Sequence, residues 1–114
     1  MRRMILCLFA LPAAADPAVV DSVDAQASGG AWRFDVTLSH ADTGWQDYAD
    51  GWRVVDADGH VLGTRELLHP HVNEQPFTRS LTGVEIPEGT ERVWIETSTR
   101  PEGWDDGRFE VELP

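Results

Sequence analysis

One cysteine, no lysine, a single tyrosine and no apolar run long enough to cross a bilayer exclude several classes of protein for this 114-residue chain. The cysteine, Cys7, lies in the first fifteen residues, where Arg2 and Arg3 precede an apolar stretch from Met4 to Leu11, then Pro12 and Ala13-Ala14-Ala15. That is the layout of a secretory signal peptide with an A-x-A cleavage site before Asp16. Its apolar run falls far short of the roughly 20 residues that a permanent transmembrane helix needs. A lipid-anchored reading would use Cys7, but Leu6 stands where a small residue is wanted. Residues 1-15 are therefore read as a cleaved signal and 16-114 as a single domain. Without Cys7 the mature chain has neither a disulfide nor a thiol nucleophile, although the compartment beyond the inner membrane permits disulfides. Its core must hold it together unaided.

The missing lysine leaves arginine as the only basic residue, seven in 16-114 against 20 acidic side chains, a net charge of −13 with histidine neutral. A field of that sign repels phosphate backbones and anionic headgroups, which argues against nucleic acid or a membrane surface as partner. Cationic partners are favoured, metal ions included.

A sustained helical period is absent as well; short alternating segments separated by turn residues fill the mature chain. Strands are expected at Val19 to Ala27, around Trp32 to Leu38, at Trp52 to Ala57, Val61 to Leu68 and Phe77 to Val84, around Val93 to Ser98, and at Phe109 to Leu113. Ser28-Gly29-Gly30 and Asp58-Gly59 are hairpin signals. The stretches "ADTGWQDYADG" and "RPEGWDDG" read as loops. Seven strands in this length predict an all-β, antiparallel immunoglobulin-like sandwich of the fibronectin type III kind, with Trp52 as the buried tryptophan of the third strand.

Following such a chain up and down carries three loops to one end. They bring His40, Asp42, Trp45, Asp47 and Tyr48 from the first, His69, His71, Asn73 and Glu74 from the second, and Arg100, Glu102, Trp104, Asp105 and Asp106 from the third. His60 is left in the opposite hairpin.

Within "LHPHVNEQPF", Pro70 fixes its own φ and keeps His69 out of the helical region, so His69-Pro70-His71 is extended and both imidazoles leave on one side. Neutral imidazoles so placed suit copper or zinc, with His40 as a third ligand and Asp42, Asp47 or Glu74 as a fourth ligand or hydrogen-bonding support. The competing reading makes the same histidines capping groups of a proline-stiffened loop. Trp45 and Trp104, with Tyr48 and Glu74, are candidates for a ligand or partner platform, or else for lids that close the end of the core. "DADGH" at 56-60 lacks the spaced acids and closing glutamate of a calcium loop and reads as a turn, as does "WDDG" at 104-107. No G-x-S-x-G elbow is present, and Ser39 and His40 point to opposite faces of a strand, so catalysis is not expected.

Residues 44-81, "GWQDYADGWRVVDADGHVLGTRELLHPHVNEQPFTRSL", and above all "LHPHVNEQPFTRSL", resemble a group of small exported bacterial proteins of uncharacterised function. The resemblance covers about a third of the chain. It implies export and a β-sandwich and brings no reaction or ligand with it. Two readings stand at this point, both for a non-enzymatic periplasmic or secreted protein. One binds copper or zinc through His69, His71 and His40; the other is a metal-free accessory domain that docks on another envelope protein or a small ligand through its Trp45/Trp104 end.

Overall fold

Trp32, Phe34, Val36 and Leu38 alternate with Arg33, Asp35 and Thr37, and that period of two makes one face of their strand fully buried from Phe34 to Leu38. The computed structural model describes residues 16–114, so the signal-peptide reading lies outside the described residues. Among them the elements are all strands: β1 (Val19–Ser28), β2 (Ala31–Ser39), β3 (Tyr48–Val55), β4 (Val61–Glu66), β5 (Phe77–Val84), β6 (Arg92–Arg100), β7 (Gly103–Trp104) and β8 (Phe109–Glu112). They form two antiparallel sheets, one ordered β1-β2-β5 and the other β4-β3-β6-β7, with β8 also paired to β6.

One core lies between the sheets. Phe34, Val36, Leu38 and Phe77 come from the smaller sheet, and Trp52, Val54, Val93 and Ile95 from the larger. A fully buried aromatic side chain such as Trp52 contributes several kcal/mol, about 3–5 by the usual cost of truncation to alanine. Gly63 on β4 marks the closest approach, since a Cβ there would stand 3.1 Å from Leu81 Cδ2 on β5.

Both predicted hairpins form as their turn chemistry requires. Gly29 and Gly30 take φ of 60° and 89° between β1 and β2, and Gly59, at 86°, turns β3 into β4. The strand count is eight where seven are expected, because Gly103–Trp104, in a segment read as a loop, forms a strand of its own; a second such segment lengthens β3. Tyr48 to Gly51 extends β3 backwards against β6, with Tyr48 opposite Arg100. A register shift between Ala49 and Gly51 breaks the alternation there, which hides the strand from a period-two reading. Gly103–Trp104 folds back on Thr99 and Ser98 as β7.

Candidate functional site

Asp42 is the organising residue of the end where β2 leaves and β3 begins. Its side chain is wholly buried, and a buried carboxylate must be matched by donors. Three are supplied: the Ala49 N–H to Oδ1 at 3.0 Å, the His71 N–H to Oδ2 at 2.7 Å, and His40 Nδ1 at 2.6 Å from Oδ1. One carboxylate thus ties the loop after β2 to the start of β3 and to the loop between β4 and β5. Gln75 adds a second tie, accepting from the His40 N–H at 2.9 Å and donating to the His71 carbonyl at 2.9 Å. The predicted convergence of the first two loops is therefore present, built on an acidic residue whose acceptor role reaches 29 positions along the chain to His71.

The three histidines of this end do different work. Both ring nitrogens of His40 face oxygens, Nδ1 toward Asp42 and Nε2 toward the Asp16 carbonyl at 3.1 Å, with Asp47 Oδ1 at 3.8 Å. Neither is directed at open space. His71 is buried and lies flat on Phe77, with ring centroids 4.0 Å apart and planes 9° from parallel. Its Nε2 stands 2.8 Å from Arg79 Nη2. A guanidinium only donates, so Nε2 accepts and the ring proton sits on Nδ1, which is buried without a partner. With Nδ1 protonated, the one lone pair of the ring, on Nε2, is already engaged by Arg79. Burial foremost, then the charges of Arg79 and His69, hold the His71 pKa below the ordinary imidazole value, against an opposing pull from Glu74 and Asp42. His69 is exposed, its ring tilted over that of His71 at 4.6 Å between centroids and its Nδ1 3.1 Å from the Pro70 carbonyl.

The rings of His69 and His71 thus lie close together, but His40, His69 and His71 are not among the described groups whose ligand atoms cluster. Among the described residues, the cluster whose ligand atoms lie within 4.8 Å of one another is Asp56, Asp58 and His60, in the opposite hairpin. There Asp56 caps the turn, accepting from the backbone N–H of Asp58 at 2.9 Å and of His60 at 2.8 Å. The His60 N–H holds the Asp56 carboxyl below the usual range, with further help from the His60 side chain and the Asp58 N–H.

The aromatic candidates also separate. Trp45 is 63% exposed and meets Tyr48 edge to face at 5.7 Å, and Tyr48 is buried with the Arg100 guanidinium 6.0 Å above its ring. Trp104 instead lies over the outer face of the larger sheet: its ring is 3.5 Å from where a Gly51 Cβ would be, and the Arg53 guanidinium covers it at 4.0 Å. Arg53 and Arg108 both bind Glu96, at 2.8 and 3.0 Å, so this indole packs against an Arg–Glu–Arg array. Glu74 is 3.5 Å from Arg79. What does accompany Trp45 on the converging loops is a pair of exposed aliphatic side chains, Leu68 at 71% and Val72 at 51% exposure. Arg79 and Leu68 were not among the expected site residues. A cue for Arg79 exists, because it follows Phe77 by two on one strand and so shares its face.

No protein-family model matches the chain, and no solved structure matches it either. A protein of Halomicrobium mukohataei named "Putative lipoprotein" is 46% identical over 86 residues, which is 75% of this chain and 42% of that protein. The chain therefore spans less than half the length of this relative, and it is similar to one part of that longer protein.

Proposed function

We propose that the chain is a non-enzymatic binding domain of an exported, envelope-associated protein, and that it docks on another envelope protein through the loop end bearing Trp45, Leu68 and Val72. The observation that carries this reading is the combination of exposed apolar side chains with backbone pinned from within by Asp42. Pre-ordering lowers the entropic cost of association, and a large aromatic at such a place is a common anchor. Export is supported by the leader reading and by the relative's name. The strand order β1-β2-β5 facing β4-β3-β6 supports a sandwich of immunoglobulin or fibronectin type III connectivity. Photo-crosslinking in cells with the reactive group at position 45, 68 or 72, against positions 24 and 88 as controls, tests the docking. A discrete adduct from the loop-end positions alone is expected; no adduct, or the same pattern from the controls, contradicts it.

One observation favours the second reading, in which copper or zinc binds: the rings of His69 and His71 lie 4.6 Å apart. Such an ion would have to displace Arg79 from His71. Titration of the mature domain with copper(II) and zinc, beside His69→Ala/His71→Ala, separates the two. Docking without metal expects no stoichiometric binding tighter than about 100 µM, or about −5.5 kcal/mol. Tight binding lost in the double variant would establish the metal reading instead.

A further inference from the structure

Residues 16–18 lie ahead of the sheet ladder, which begins with the pair Val19–Ser39, yet they are drawn into the core. Ala18 is buried and belongs to the core cluster. Two side-chain donors hold the segment by its carbonyls: Thr97 Oγ1 donates to the Ala18 carbonyl at 3.1 Å, and His40 Nε2 stands 3.1 Å from the Asp16 carbonyl, which can only accept. Thr97 is on β6 of the larger sheet, and His40 directly follows β2 of the smaller one. The segment therefore straps the two sheets together. A cavity opens on each flank of it, and Pro17 and Val19 line both. One, of about 210 Å³, reaches Ile95, Thr97 and Phe109; the other, of about 610 Å³, reaches Ser39, His40 and Gln75. Lifting the strap joins them into one groove that runs from His40 to Thr97.

Little opposes that movement. The one buried side chain of the strap is an alanine, Pro17 has no N–H to pair, and Val19 beside it is already 55% exposed. Segments held in this way open at a fraction of the free energy of global unfolding. The groove left behind is selective, because whatever fills it must present acceptors to two donors that are 5% (Thr97) and 8% (His40) exposed with the strap in place. Carbonyls of alternate residues in an extended chain meet both, as those of Asp16 and Ala18 do, and the hollow under Ala18 admits only a small side chain there. We propose that residues 16–18 are an exchangeable strap: it lifts without unfolding the sheets, and its groove takes an extended peptide segment of another protein, a small residue after a proline, whose carbonyls replace those of Asp16 and Ala18 on His40 and Thr97. This peptide site is separate from the docking end of Trp45, Leu68 and Val72, and either stands without the other.

Residues 16–114 contain no cysteine, so Ala18→Cys gives the domain a single thiol under the strap and Val36→Cys a single thiol in the core. Under native conditions the thiol at position 18 should react with a small thiol reagent about 100-fold or more faster than the thiol at position 36, because local opening precedes global unfolding. Acetyl-Asp-Pro-Ala-amide, by occupying the groove, should speed the reaction at position 18 about tenfold when present at about ten times its dissociation constant. Acetyl-Asp-Pro-Asp-amide should leave the rate unchanged. In the unsubstituted domain the first peptide should shift the Thr97 and His40 resonances saturably. Ala18→Asp, which expels the strap by the penalty of burying a charge, should keep the folded spectrum and lower the midpoint of that titration about tenfold or more. Equal labelling at positions 18 and 36, acceleration by neither peptide or by both alike, no saturable shift of Thr97 and His40, or loss of the folded spectrum in Ala18→Asp overturns the proposal.

Discussion

Two histidine–aspartate pairs occupy opposite ends of this domain. His40 and Asp42 meet at 2.6 Å with side chains 4% and 0% exposed, whereas His60 and Asp56 meet at 3.2 Å with 75% and 28% exposed. The residue types are the same, yet the surroundings assign them different roles. The buried pair is almost wholly withdrawn from solvent and ties together three backbone segments, so its contribution is to the order of the loop end. The exposed pair, with Asp58, meets the distances of a cation cluster, but its carboxylate is already used on the turn's N–H groups, and the Arg108 guanidinium lies 3.3 Å from where a Gly59 Cβ would stand. Proximity of ligand types is therefore a poor guide to metal binding here; what each lone pair already faces is a better one.

The contrast is broken most severely at Asp42. Asp42→Ala leaves the N–H groups of Ala49 and His71 and the Nδ1 of His40 without an acceptor, and should cost about 3 kcal/mol or more in urea unfolding, at roughly 1–3 kcal/mol for each buried group left unsatisfied. A loss below about 1 kcal/mol would mean that the loop end is not held from this residue. A smaller effect is expected at His71. Its folded pKa lies below its unfolded value, so as pH falls below about 6.5 the unfolded chain binds the proton first and stability declines. His71→Phe should flatten the stability profile between neutral pH and about pH 5, and an unchanged slope would contradict the burial of a neutral ring. At the exposed end, His60→Ala should shift stability by no more than about 0.5 kcal/mol, as for surface substitutions generally. Zinc should protect neither end against thermal unfolding, which sharpens the comparison from the ligand side.

Much of the fold is readable because burial and alternation agree. Phe34, Val36 and Leu38 on β2, and Val93 and Ile95 on β6, show the period of two in sequence and are fully buried in the structure. Gly29-Gly30 and Gly59 announce their turns by conformational need. The beginning of β3 is not readable, since Asp50 and Gly51 interrupt the apolar pattern and the segment carries a register shift. The candidate site was legible as a gathering of loops but not as a set of contacts. Asp42 and His71 are 29 positions apart, and nothing local marks Asp42 as the acceptor for both His71 and Ala49. Arg79 escaped because a strand arginine is ordinarily a surface residue, whereas here it reaches round the end of the core to His71. The placement of Trp104 on β7 is not readable, because a two-residue strand is too short to show in any pattern.

The central claim is that the loop-end imidazoles are committed to the structure of the end and are not held ready for an ion. The most direct test is the ring-nitrogen spectrum of His71 in the ¹⁵N-labelled domain at neutral pH, with and without one equivalent of zinc. The account predicts a neutral ring protonated on Nδ1, its Nε2 accepting from Arg79, and no change on adding zinc. A proton on Nε2, or a zinc-dependent shift of the His71 and His69 nitrogens together, would contradict it.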